Sequence, residues 1–293
     1  MSNSYTISGA AELSFQVESV VAMAVYAEDR LDWVSRAVDS ILEQVYRDFL
    51  FAIVVDGEID VLMLEYLERV AAENKNVILF KGLHNVGLSQ CMNYVVDFVL
   101  DQVPSAKYFF RMDADDISEL DRLSKQIEFF NAHKEVSILG TSLVEINEKG
   151  RIVGQRQLPL DHKQIFKVLP RRCALNHPTV AIRMDVFAKG HRYRPELKNT
   201  QDYFLWIELC AVGFRFANLP DALLKFRRVN DFYKRRGFNK SLNEFKARFY
   251  AMRVLRCRTF FNVFYACAVI LLRLMPAKLI KLAYKIDRYF LNK

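Results

Sequence analysis

A chain of 293 residues that is 52% hydrophobic and 13% aromatic can fill one large core and is too aromatic to be disordered in bulk. Its five cysteines, Cys91, Cys173, Cys210, Cys257 and Cys267, are odd in number and form no C-x-x-C pair, which argues against a disulfide framework or a zinc site. The net charge of +8 is uneven: residues 225–293 carry 18 Lys+Arg against 3 acids, and the rest 24 against 31, so a slightly acidic body bears a strongly basic tail.

Residues 1–18 contain no basic segment followed by an apolar stretch, so no secretory signal is expected and a cytoplasmic location is. The β-branched apolar run 17–25 reads as a buried strand, and Leu31, Val34, Val38, Ile41, Leu42 and Val45 then recur at helical spacing. A second strand over 50–55 ends in the turn Asp56-Gly57. Asp60 is placed to cap a helix over 61–72. Residues 77–80 form a third strand, and Leu88, Met92, Val95, Val96 and Val99 mark the next helix. A fourth strand, 107–112, runs into Asp113-Ala114-Asp115-Asp116. This alternation predicts an α/β fold with a mostly parallel, Rossmann-like sheet flanked by helices. Such sheets bind ligands at the carboxyl ends of their strands, and Asp56 and Asp113 both fall at strand ends.

Further on, Leu123, Ile127 and Phe130 suggest a helix. Residues 136–146 and 151–155 form a hairpin across Asn147-Glu148-Lys149-Gly150. Residues 203–212 read as a helix entered through Gln201-Asp202, and His177-Pro178 lies on an expected strand. No internal repeat or low-complexity segment occurs.

Asp113, Asp115 and Asp116 are the strongest chemical signal. Packed carboxylates repel one another unless a cation neutralises them. An oxygen-only ligand set with open positions suits Mg²⁺ or Mn²⁺, completed by substrate phosphates. The bland alternative is a solvated acidic turn opening the next helix.

The run Phe110-Arg111-Met112-Asp113-Ala114-Asp115-Asp116-Ile117-Ser118, with Leu120-Asp121-Arg122-Leu123 and Gln126 after it, resembles the D-x-D region of family 2 glycosyltransferases. The likeness is greatest to the bacterial subgroup that builds capsular and extracellular polysaccharides. Five other stretches follow the family's order: Val21-Ala22-Met23-Ala24-Val25-Tyr26, Val54-Val55-Asp56-Gly57, His84-Asn85-Val86-Gly87-Leu88-Ser89 with Asn93, Asn176-His177-Pro178-Thr179-Val180, and Gln201-Asp202-Tyr203 with Leu205-Trp206. Each is weak alone; together they cover residues 17–228.

The resemblance implies a GT-A catalytic domain over 1–228, a nucleotide-sugar donor with UDP as the expected nucleotide, and inversion at the anomeric carbon. It implies that Asp56 meets the base or ribose, that Asp115 holds the metal, and that Asp113 contacts the ribose or supports the metal shell. Asp116 would orient Arg111 or touch the donor sugar, with Arg111 on the donor side. Asp202 would be the general base, or alternatively a helix cap. The chain departs from the family at Gln201, where Glu is usual, and at Met92, where many relatives carry an arginine. A diphosphate contact from position 92 is therefore not expected. His177 has either a donor or metal role or a structural one. Arg227 or Arg228 meets the diphosphate or lies on a solvated face. Trp206 belongs to the core or lines the acceptor site.

Residues 229–293 are expected to form a basic, amphipathic helical extension. Helical periodicity over 241–258 leads into an apolar stretch, 260–272, interrupted by Asn262 and shorter than the roughly 18–20 residues that span a bilayer. Lys278, Lys281, Lys285 and Arg288 then recur on one helical face, with Leu279, Leu282, Ile286 and Tyr289 on another. Such a helix suits the headgroup region of an anionic inner leaflet, where a saccharide or lipid-linked acceptor would be met. Packing on the body or on a second subunit is the alternative, and nothing in the sequence sets an oligomeric state. Two other functions compete. A sugar nucleotidyltransferase should carry a Gly-rich phosphate loop after its first strand, and residues 26–30 contain no glycine. A non-enzymatic module binding anionic polymer would use the basic tail but leave the aspartates unexplained, and no nucleic-acid motif is present.

Overall fold

The computed structural model describes residues 5–9, 16–197, 199–229 and 238–273. The lysine-rich segment 278–288 lies outside them.

Four parallel strands form the N-terminal half of the sheet. They are β2 (Ser19–Val25), β3 (Phe49–Val55), β4 (Val77–Gly82) and β5 (Tyr108–Asp113), in the spatial order β4-β3-β2-β5. Every residue of β3 is buried, as expected of an apolar run covered on both faces. Neighbouring residues of one strand serve different cores. Val20, Ala22, Ala52 and Val54 face one side, with Val95, Val96 and Val99 of α3 (Leu88–Gln102). Val21, Met23, Phe51 and Ile53 face the other, with α1 (Leu31–Leu42) and α2 (Val61–Glu73). The buried apolar set of α1, Trp33, Val34, Ala37, Val38 and Ile41, follows the helical period. Asp60 caps α2, accepting from the backbone N–H groups of Leu62 (2.9 Å) and Met63 (3.3 Å), a contact worth about 1 kcal/mol. An additional strand, β1 (Tyr5–Gly9), pairs antiparallel with the outer edge of β4.

The sheet continues from β5 through β9 (Ala181–Arg183), β7 (Val136–Ile146) and β10 (Arg215–Arg227) to the two-residue β6 (Ile117–Ser118). β9 runs antiparallel to both β5 and β7, β7 and β10 are parallel, and β6 is antiparallel to β10. The sheet, ten-stranded among the described residues, is therefore mixed and is parallel only through β4-β3-β2-β5 and between β7 and β10. The expected hairpin is present as β7 and β8 (Ile152–Arg156). His177–Thr179 forms a 3₁₀ turn rather than the expected strand. Pro178 has no N–H to give to a ladder and favours a first helical position.

The helices of this half are α4 (Arg122–Ala132), α5 (His162–Val168), α6 (Met184–Ala188) and α7 (Gln201–Ala211). After them come α8 (Phe238–Val254) and α9 (Phe260–Arg273). Ala247, Ala251 and Leu255, on α8 and just past its end, join the core that holds Tyr203, Phe204 and Trp206 of α7, so this part of the basic extension packs on the catalytic body.

Candidate active site

The acidic turn sits where β5 leaves the sheet and β6 returns along β10. Asp113, Asp115 and Asp116 each present an oxygen, and these atoms lie within 4.8 Å of one another. Asp116 is fully buried. Its Oδ1 accepts from the backbone N–H of Arg227 (2.8 Å), while its Oδ2 has no protein partner. Burial, then the charges of Asp115 and Asp113, holds its carboxyl well above the ordinary range. Burial, then Asp113, pushes Asp115 up to about 6. Crowded carboxyl groups with one orphaned buried oxygen are what a divalent cation would relieve. The donor set therefore fits Mg²⁺ or Mn²⁺.

Three guanidinium groups stand behind the carboxylates. Arg111 is buried and pairs with Asp113 (2.5 Å); the expected partner, Asp116, receives Arg227 instead. Arg122 donates from Nη2 to the carbonyl of Arg111 (2.6 Å), and burial, opposed by the nearby Asp116, brings it down to about 9. Arg227 donates from Nε to the carbonyl of Asp115 (2.8 Å) and from Nη1 to the carbonyls of Asn147 and Glu148 (3.3 and 3.4 Å). Its guanidinium lies 5.0 Å from the ring centre of Trp33, and Nη2, also buried, has no protein partner. Arg228 turns elsewhere: with Arg156 it grips the buried carboxylate of Glu145 (2.8 and 2.9 Å). Of the two neighbouring arginines, Arg227 is the one at the cluster.

Asp29, in the loop between β2 and α1, is a site residue that sequence pattern does not single out. Its Oδ2 accepts from the Tyr26 N–H (2.9 Å). Burial pushes it up to about 7, with Asp115 and Asp113 adding to the rise, so a fourth carboxyl group feels the cluster. Its position after the carboxyl end of β2 was the available signal.

Asp56 follows β3 and is 4% exposed. Its two oxygens accept from the N–H groups of Val86 (2.7 Å) and Gly87 (2.9 Å). Asn85 donates back to the Asp56 carbonyl (3.3 Å). The turn is tight: Gly57 has φ +86°, and a Cβ there would stand 2.6 Å from the Asn85 nitrogen. Asp56 and the Asn85-Val86-Gly87 motif are thus one folded unit. Met92 is wholly buried among apolar residues.

Asp202 is the second residue of α7. The residue before the helix is Thr200, held at φ 63° with no side-chain capping bond, so Asp202 is not the cap residue. Its Oδ2 lies 3.9 Å from the Cys173 sulfur. Tyr193 connects this end of the site to the cluster. Burial pushes its phenol up, Arg111 pulls it down, and Asp202 and Asp113 both raise it. The Tyr193 hydroxyl lies 3.2 Å from His177 Nε2. Burial, helped by Arg111, holds His177 well below its ordinary range, so its imidazole is neutral. His177 also meets Trp206 edge-on, at 6.2 Å between ring centres. Trp206 is completely buried and belongs to the core.

Comparison with known proteins gives the same answer as the motif order. The family model described as glycosyl transferase family 2 matches residues 20–190. The chain is 29% identical over 283 residues to the amylovoran biosynthesis glycosyltransferase AmsE of Erwinia amylovora, spanning 92% of this chain and 98% of that one. It is 32% identical over 211 residues to the O-antigen biosynthesis glycosyltransferase WbnJ of Escherichia coli, spanning 71% and 78%. Among solved structures, S. aureus TarS 1-349 in complex with UDP-GlcNAc aligns with a TM-score of 0.64 at 16% identity, over 88% of this chain and 72% of that chain. The mannosyltransferase PcManGT from Pyrobaculum calidifontis, in complex with GDP-Man and Mn²⁺, aligns with a TM-score of 0.55 at 13% identity, over 96% and 82%. The fold is GT-A, and the carboxyl cluster closes β5 at the strand ends where such a sheet binds its ligands. On these grounds the chain belongs to glycosyl transferase family 2.

Proposed function

We propose that this glycosyltransferase moves a hexose-type sugar from a UDP-sugar to a saccharide or lipid-linked saccharide, with inversion, at the cytoplasmic face of a membrane. The product would be a surface polysaccharide, capsular or extracellular. The names of the relatives support the polysaccharide class. The observation that carries the donor reading is the trio Asp113, Asp115 and Asp116 with its orphaned buried oxygen.

In this reading Asp115 and Asp113 hold Mn²⁺ or Mg²⁺, which supplies stabilisation of the departing diphosphate. Asp116 anchors the turn by accepting from Arg227. The unpartnered Nη2 of Arg227 is the donor-side group available to a phosphate oxygen. Arg111 fixes Asp113 through their ion pair. Asp56 shapes the nucleotide loop through Val86 and Gly87, and its remaining lone pairs face the base or ribose. Asp202 takes the proton of the acceptor hydroxyl as that oxygen attacks the anomeric carbon. Its neighbours suit a proton acceptor, because burial holds both the Cys173 thiol and the Tyr193 phenol protonated and neither competes for the proton. The sugar nucleotidyltransferase and the non-enzymatic module lose ground to the family match.

Calorimetric titration with UDP, with and without Mn²⁺, tests the reading alongside Asp115→Ala. Metal-dependent binding that disappears in the variant is expected. Metal-independent binding that the variant retains would remove the metal role from Asp115. Absence of UDP, GDP and dTDP binding would refute the donor site.

A further inference from the structure

We propose that α9 is the element that enters the membrane. Its outward face, Phe260, Phe264 and Leu271, would lie in the interfacial layer of an anionic bilayer, with Arg253, Arg256 and Arg258 against the lipid phosphates. This rests on the membrane-surface location proposed above and assigns it to particular residues.

The helix has two distinct sides. Phe260, Phe264 and Leu271 are 87%, 61% and 59% exposed. At 100° per residue they fall within an arc of about 40°. The Phe260 and Phe264 rings stack at 6.3 Å between centres, so they form one apolar surface. Asn262 and Ala266, on the opposite side, are buried. An exposed stripe of aromatic and aliphatic side chains on an ordered helix marks a contact surface.

Charge selects the occupant. Arg253, Arg256 and Arg258, which precede α9 in the chain, are all exposed, and residues 245–286 contain no Asp or Glu. A second copy of the same surface would be repelled, whereas anionic phosphates would be attracted. Arg256 adds a conformational argument. It adopts φ 52° where α8 ends, a left-handed position at which glycine is usual and a side chain is disfavoured. A charge is held there against the backbone's preference. The 14 described residues of α9 reach about 21 Å at 1.5 Å each, less than the roughly 30 Å hydrocarbon layer. No helix among the described residues is long and apolar enough to cross a membrane. Asn262 and Ala266 hold the inner side of this part of the helix against the body, so its outward face is offered along the plane of the surface.

The same helix reaches toward the catalytic end. Arg171 donates from Nε to Asn262 Oδ1 (2.9 Å), and its guanidinium lies 4.8 Å from the ring centre of Phe261. Arg248 of α8 donates to the Arg171 carbonyl (2.7 Å). Two residues on, Cys173 touches Asp202. One short segment thus links the membrane-facing helix to the acceptor side. A saccharide carried on a lipid would meet Asp202 without leaving the surface.

The test is flotation of the full chain with vesicles of phosphatidylcholine alone or mixed with phosphatidylglycerol. It compares the wild type with Phe260→Ser/Phe264→Ser, whose exposed positions leave the core and the donor site untouched. Wild-type protein should float with the anionic vesicles, and the double variant should bind them at least about tenfold more weakly with unchanged UDP affinity. A Phe264→Trp variant gives a second readout: brominated lipids should quench its emission, because Trp33 and Trp206 are buried in the body. If the wild type floats while the double variant floats equally and the introduced tryptophan is unquenched, the α9 assignment falls and the membrane reading survives. If the wild type does not float, both fall, whatever the UDP titration gives. Dimerisation that the double variant abolishes, without flotation, would replace the bilayer by a second copy.

Discussion

Replacing Asp29 by Asn probes the strain in the carboxyl cluster without touching a proposed metal ligand. Burial, then Asp115 and Asp113, lifts Asp29 from 3.8 to about 7. In the unfolded chain it titrates near its ordinary value. Between about pH 4 and 7 the folded protein therefore holds a proton that the unfolded chain has lost, and stability falls as pH rises through that window. A rise from 3.8 to about 7 corresponds to about 4 kcal/mol, which partial solvent access reduces to about 2–3 kcal/mol. Asparagine keeps an acceptor for the Tyr26 N–H and carries no charge. Asp29→Asn should thus be more stable than the wild type by about 2–3 kcal/mol at pH 8, with the gain fading toward pH 5. Urea unfolding in the presence of EDTA across this range measures it. Mn²⁺ should shrink the gain, because a cation at Asp113 and Asp115 offsets two of the charges acting on Asp29. A difference that does not vary with pH, or a variant less stable at pH 8, would refute the electrostatic reasoning.

Two further outcomes follow from the geometry. Asp202→Asn should lower sugar transfer by about 10²–10⁴-fold while leaving Mn²⁺-dependent UDP affinity within about twofold; comparable loss of both would move Asp202 to the donor pocket. Glu145, buried between Arg156 and Arg228, should cost about 3 kcal/mol when changed to Gln, because two guanidinium groups lose their counter-charge. Denaturant titration reads this directly, and a loss below about 1 kcal/mol would mean that water already screens the trio.

The parallel half of the fold is readable in the chain because β2, β3 and β5 are covered on both faces, and such strands are continuous apolar runs. The cap at Asp60 is local chemistry and equally readable. β1 is not: Tyr5-Thr6-Ile7-Ser8-Gly9 is an edge strand, half exposed, and only its partner defines it. The Asp113 cluster stands out because three carboxyl groups in four residues need an explanation. Asp29 and Glu28 look like ordinary loop acids, and only folding brings one toward the cluster. Arg227 and Arg228 are neighbours in sequence, and strand alternation sends them to different partners. Periodicity states that they diverge but not which one meets Asp115. For Asp56, position after a strand indicated a site, yet its bonds to Val86 and Gly87 depend on a loop about thirty residues away.

The pairing of Tyr5–Gly9 with β4 also governs how molecules of this enzyme meet one another. Without it, the outer side of Val77–Gly82 would present a row of bare amide and carbonyl groups, on a strand whose first four residues belong to the core. Such an edge recruits any extended segment that reaches it, including the same segment of another molecule. Removing residues 1–9 would leave every proposed catalytic group in place and still expose an edge prone to self-association.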